Sequence, residues 1–191
     1  MKIFINFIFF LTIIFAISTF VSAQEKIVIS TNPPPAYVPL PVLKEVGQAK
    51  VTYNERKNEV VAQTTSLQVF GKFLDGIRIQ ARFATQGKKV VKPEKITLGI
   101  SAAAKDRTYV DDRSIKILMS EREIVNGTTK FDKAVSDGRV IIASLEQELS
   151  YDLFVKITKS KKIKMQIGRT EFELKESDIE AFRDLLRLIE K

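Results

Sequence analysis

Acid–base chemistry in this chain would have to come from carboxylates. The sequence holds no histidine, no cysteine and no tryptophan. Without imidazole it lacks the usual general base, the usual metal ligand and the usual switch near neutral pH. Serine and cysteine triads, His-Glu-x-x-His zinc sites and histidine relays are excluded by composition. The candidate acidic pairs are Asp111-Asp112, Glu121/Glu123 and Glu146/Glu148. A glycosidase needs two carboxylates facing each other across a cleft. Adjacent residues of a strand point to opposite faces, which makes Asp111-Asp112 a poor dyad if extended. The other two pairs would share a face, and both are expected at strand ends near turns. Proximity in sequence is not site geometry, so no catalytic residue is assigned. Asp106, Asp111 and Asp112 gather around an expected loop without the Asp-x-Asp-x-Asp-Gly spacing of a calcium loop. They read as solvated acids, and neither a metal ligand nor a cofactor is assigned.

Positive charge offers a second kind of chemistry. Lys159, Lys161, Lys162 and Lys164 form the densest basic cluster, and Lys88, Lys89, Lys92 and Lys95 the next. The first cluster is the candidate contact for an anionic surface, such as a phosphate-bearing lipid or polymer. Its neighbouring aromatics, Tyr151 and Phe154, are better used in a core, so there is no stacking platform and nucleic acid is not an expected partner. The chain carries 31 Lys/Arg against 23 Asp/Glu, a net charge of +8. Acids are interspersed nearly throughout, as on a mixed, solvated surface.

Several elements must position these groups. Residues 1–23 read as a secretory leader: Lys2 is a short positive start, 3–20 an almost unbroken apolar run, and Val21-Ser22-Ala23 a small-residue cleavage pattern. Cleavage after Ala23 would leave a charge of +7, since Lys2 is the only charged residue removed. The rest is expected outside the cytoplasm, periplasmic or secreted, with membrane contact only through the leader if it stays uncleaved. Absence of cysteine excludes disulfides and lipid attachment through an N-terminal Cys. Residues 24–48 form an N-terminal segment in which 32–41 hold five of the six prolines. That run is read as a stiff polyproline spacer or a strap on the domain surface.

Residues 49–191 read as one β-rich domain. Ile77, Ile79, Ala81 and Phe83 alternate with Arg78, Gln80 and Arg82, the pattern of a half-buried strand with one wet side. Ile96, Leu98 and Ile100 alternate with Thr97, Gly99 and Ser101 in another strand. Tyr109 and Val110 suggest a short strand. Asn126-Gly127 and Asp137-Gly138 signal type I′ hairpins and predict a meander of 115–125, 128–135 and 139–145. Asn126-Gly127-Thr128 also matches a glycosylation sequon, but is read as a turn. Ser150 predicts an N-cap for a short helix near 151–159. A two-residue loop at Gly168-Arg169 predicts Ile167 opposite Thr170, Met165 opposite Phe172 and Ile163 opposite Leu174. Ser177 and Glu180 are expected to form a capping box for an amphipathic helix near 178–190, with Ile179, Phe182, Leu185, Leu186 and Ile189 on its apolar side. The expected fold is mainly β, antiparallel and sandwich-like, with these two helices.

The stretch 164–186, in which Gly168-Arg-Thr-Glu-Phe-Glu-Leu174 leads into Glu180-Ala-Phe-Arg183, resembles the C-terminal signature of a family of uncharacterised exported bacterial proteins. In that family the helix reads Glu-Ala-Leu-Arg; here Phe182 stands for the Leu. The resemblance implies a bacterial envelope setting and a compact single domain, and no site residues. The function expected from the sequence is a non-enzymatic binding, interaction or structural module of the cell envelope. Its partner would be an envelope protein or an anionic envelope surface. The alternative is a carboxylate-dependent hydrolase acting on envelope polymer.

Overall fold

The structure, a computed structural model, describes residues 29–30, 42–72, 75–120, 122–136 and 138–189. The leader, the proline-rich segment, Phe73, Glu121 and Asp137 lie outside the described residues.

Thirteen strands are described, in two sheets. The larger holds β1 (Ile29–Ser30), β2 (Val42–Val46), β3 (Ala49–Asn54), β4 (Glu59–Thr64), β5 (Leu67–Lys72), β6 (Asp75–Gln86), β7 (Lys95–Ala104), β10 (Lys130–Ser136) and β11 (Ile141–Ser150). Their order is β1-β10-β11-β7-β6-β4-β3-β2. β6 is long enough to take two partners on one side, β5 along its first half and β4 along its second. All these pairings are antiparallel except the short one of β1 with β10. The sheet thus extends N-terminal of residue 49, with β1 and β2 at opposite edges. The smaller sheet has the order β13-β12-β8-β9, from β8 (Ser114–Met119), β9 (Arg122–Thr128), β12 (Ile163–Ile167) and β13 (Thr170–Glu173). The helices are α1 (Thr108–Asp111), α2 (Tyr151–Lys159) and α3 (Glu176–Ile189).

One cluster of buried apolar side chains draws on both sheets and on α2 and α3. Strand alternation explains how. On β6, Ile77, Ile79, Ala81 and Phe83 are buried while Arg82 and Ala84 are exposed. On β7, Ile96, Leu98, Ile100 and Ala102 face the same way. The smaller sheet supplies Ile115, Ile117, Ile163, Met165 and Ile167, and α3 supplies Ile179, Phe182 and Leu185, with the Phe182 ring tilted against that of Phe154 of α2 at 5.4 Å. The expected mainly β, antiparallel sandwich with two such helices is what the chain forms.

The β12–β13 hairpin has the expected register, Ile167 with Thr170 and Met165 with Phe172, and the Leu174 amide donates to the Ile163 carbonyl at 2.9 Å. Gly168 takes φ +56, the left-handed value its turn position requires. Ser150 caps α2, its hydroxyl accepting from the Leu153 amide at 3.3 Å.

Four local expectations are corrected. Asn126-Gly127 is not a turn: both residues lie in β9, opposite Lys116 and Ile115. The chain reverses instead after Ser120, which takes φ +49. The meander is accordingly split: β8 and β9 belong to the smaller sheet, and only the β10–β11 hairpin joins the larger one. The crossover at Thr129 is held by its amide and hydroxyl, both donating to the Arg113 carbonyl. Tyr109 and Val110 form the helical turn α1, started by Asp106 accepting from the Thr108 amide at 3.0 Å, and both are buried. Finally, α3 begins at Glu176, and its capping carboxylate is Asp178, which accepts from the Lys175 amide at 2.9 Å. Glu180 instead holds Arg183 and Arg187.

Candidate functional site

Asp111-Asp112 and Glu146/Glu148 do not assemble a dyad, and Glu121, of the Glu121/Glu123 pair, lies outside the described residues. Asp111 is exposed and pairs with Arg107 across one helical turn. Asp112 accepts from the amide and hydroxyl of Ser114, at 3.2 and 2.7 Å. Those bonds hold its carboxyl below the usual carboxylate range. Asp106 is likewise held low by Thr108. Glu146 and Glu148 share the outward face of β11, as expected, but within the strand rather than at its end. Each meets a cation there: Glu146 pairs with Arg82, and Glu148 with Lys95 at 2.8 Å. Lys95 keeps the Glu148 carboxyl below its ordinary value, and Glu148 raises Lys95 in turn. Among the described residues no three acidic side chains converge as metal ligands would.

The basic cluster near α2 is dispersed by its surroundings. Lys159 and Lys161 are exposed at and after the helix end. Lys162 and Lys164 point to acids across the β12–β13 hairpin, Glu173 at 3.6 Å and Glu171 at 3.7 Å. Lys159 also borders an open depression of about 340 Å³ with Arg183, Leu186 and Arg187. Both arginines there already hold acids of their own helix, Arg183 with Glu176 and Glu180, and Arg187 with Glu180 and Asp184. Three lysines of the second basic group meet rings or an acid. Lys88 lies 5.8 Å from the Tyr53 ring and Lys92 4.3 Å from that of Tyr151, while Lys95 takes Glu148.

A polar concavity lies on the outward face of the larger sheet, and of the acidic and basic groups singled out in the sequence only Glu146 lines it. Strand register builds it. Arg78, Gln80 and Arg82 of β6 stand opposite Ser101, Gly99 and Thr97 of β7, and these stand opposite Ser144, Glu146 and Glu148 of β11. The middle strands thus carry small side chains, Gly99, Ser101 and Ser144, between taller ones on β6 and β10. The result is a trough of about 180 Å³, open to solvent and lined further by Asp132 and Ser66. Arg82 reaches across β7 to Glu146. Arg78 donates to the Gln68 side chain at 2.9 Å, and Gln80 to the Thr64 carbonyl at 2.7 Å, which fixes the β6 wall. On β10, Lys130 stands opposite Glu146 and Lys133 opposite Ser144, adding two exposed cations at the far edge. Such a surface can offer charge-assisted and hydroxyl hydrogen bonds, but no activated nucleophile.

The sequence signal for this trough was the wet side of β6 together with a glycine inside an otherwise regular strand. Among the described residues no helix is long and apolar enough to cross a membrane. Comparison with models of protein families, with curated proteins and with solved structures gives no match.

Proposed function

We propose that this protein is an exported, non-enzymatic binding module that docks its ligand on the outward face of its larger sheet. The carrying observation is the open trough floored by Gly99, Ser101 and Ser144 and walled by charged side chains of β6 and β10. Placed polar groups in a concavity fix a ligand's orientation and give specificity. The apolar leader-like stretch of 1–23 and the likeness of 164–186 to exported bacterial proteins support placing the module in the bacterial envelope.

The hydrolase alternative draws less support. A glycosidic general acid needs a carboxyl whose pKa is raised, so that it holds a proton to give. Glu148 is shifted the opposite way by Lys95, and Glu146 faces the Arg82 guanidinium.

A photoreactive residue in place of Ser101 tests the binding reading in cells of the source organism. A covalent adduct at Ser101, lost when Gly99→Thr fills the floor, is the expected result. No adduct refutes it. Depolymerisation of envelope polymer by the purified protein, abolished by Glu146→Gln, would establish the hydrolase instead.

A further inference from the structure

We infer that residues 31–41, which join β1 to β2, dock across the outward face of the larger sheet and over the floor of the trough. A ligand of the trough then has to displace the chain's own segment, a regulation of that site which rests on the binding-module reading.

Connectivity sets the path. β1 and β2 lie at opposite edges of the sheet, about 34 Å apart at the usual strand spacing. Register separates them along the strands as well. Ser30 stands in the row of Val135, Ile142, Ala103 and Gly76, and Val42 in the row of Thr52, Val61 and Ala84. Gly76 and Ala84 are eight residues apart on β6, which adds about 26 Å in the strand direction. The direct diagonal is therefore about 43 Å, and the twelve peptide steps from Ser30 to Val42 reach at most about 43 Å. No length is left for a detour around the core side, where the smaller sheet and the helices form a layer about 10 Å thick. Crossover hand selects the same face. β7 and β10 are parallel, and their connection passes over the core face through β8 and β9, toward the β1 edge. β1 and β2 are parallel too, but their connection runs the opposite way across the sheet. Two right-handed crossovers running in opposite directions lie on opposite faces.

The diagonal runs over the low part of the face. It crosses β11 near Ser144 and reaches its midpoint at the Gly99–Gln80 pair. Gly99 sits inside the ten-residue strand β7, where a glycine weakens the strand. Its φ lies outside the left-handed region, and among the described residues a Cβ there would meet only the Gln80 carbonyl, at an ordinary 3.7 Å. A strand glycine that neither turn nor packing requires suits the close approach of another backbone. The chemistry agrees. The trough lining sets Arg78 and Arg82 against Asp132 and Glu146, a balance that fits an uncharged occupant, and residues 31–41 carry no charged side chain. Their prolines present carbonyls without N–H groups, and the Ser101 and Ser144 hydroxyls are able to donate to carbonyls.

The test places a photoreactive residue at Ser101 of the purified full-length chain and maps the adducts by mass spectrometry after trypsin. Residues 27–44 leave as one peptide, since no Lys or Arg falls between Ile27 and Lys44. An adduct joining Ser101 to that peptide within one chain is the expected result. The same probe at Lys116, which faces away from the core on the smaller sheet, should not capture it. Gly99→Thr raises the floor and should cut the internal adduct at least tenfold. Where the Ser101 probe prevents folding, Ser144 carries it on the next strand. No internal adduct from a folded variant, or equal capture from Lys116, overturns the inference. So do adducts found only between two chains, which would make the occupant a second copy. The Ser101 probe in cells separates the two levels. A foreign adduct there, without the internal one in the purified chain, overturns the placement of 31–41 alone. An internal adduct with no foreign one in cells overturns the binding reading and leaves the segment as the occupant of the trough.

Discussion

Asp184 and Gly47 give the sharpest quantitative prediction. Gly47, at φ +53, turns the chain between β2 and β3, and a Cβ there would lie 2.1 Å from Asp184 Oδ2. The same oxygen accepts the Gln48 amide at 2.9 Å, while Oδ1 accepts from Arg187 at 2.6 Å. Asp184 is 5% exposed, so this is a carboxylate buried against a turn. Asp184→Ala leaves the Gln48 amide without that acceptor and should cost about 2 kcal/mol, within the range for a hydrogen bond to a charged group. Gly47→Ala should cost about 3 kcal/mol. About 1 kcal/mol comes from a left-handed alanine, and about 2 kcal/mol from pushing Asp184 off the same amide. In the double variant the clash has no target and the bond is lost only once. It should therefore cost about 3 kcal/mol rather than about 5, a coupling near 2 kcal/mol. Urea denaturation of the two single variants and the double, followed by circular dichroism, measures all three. Costs that add to within about 0.5 kcal/mol would refute the clasp.

Three further outcomes are expected. Phe172→Ala should destabilise by about 3 kcal/mol, because Phe172 is 8% exposed and packs 6.2 Å from the Phe70 ring; a change of a few tenths in denaturant titration would place it outside the core. Ser150→Ala removes the cap on the Leu153 amide and should cost about 1 kcal/mol by the same assay, with loss confined to α2 in amide exchange. Asp112 is held below the ordinary carboxylate range by Ser114, so its contribution to stability is present above the unfolded pKa, about 3.9, and is lost as pH falls through the lower folded value. Denaturant titrations from pH 5 to pH 2 should show a shallower acid loss for Asp112→Asn than for the natural protein, and equal slopes would refute this.

Local signals carried as far as local physics decides. Gly168 supplied a left-handed turn residue, and alternation on either side fixed the Met165–Phe172 register. Ser150 had no competitor for its cap. Asn126-Gly127 failed because both residues tolerate an edge strand, and pairing Ile117 with Val125 lets buried Ile115 and Ile117 stay in the core. Asp184 stands among charged residues on α3, and only Gln48, 136 residues away, makes it a buried acceptor. The trough was half visible: Arg78, Gln80 and Arg82 declared a wet face. Which strands lie beside β6, and hence that Gly99 and Ser144 form its floor, depends on register between segments far apart in the chain.

The placement of α3 has a consequence for synthesis. This last helix packs on β2, β3 and β4, among the first strands of the sheet, and β12 completes the smaller sheet by pairing with β8. A ribosome delivers these partners in the opposite order. Until residues 176–189 emerge, Ala49, Val51, Val60 and Ala62 lack the helix that packs against their strands. The nascent chain is therefore unable to close early and depends on long-range contacts that form slowly. A truncation of those fourteen residues should yield an aggregating chain rather than a smaller domain.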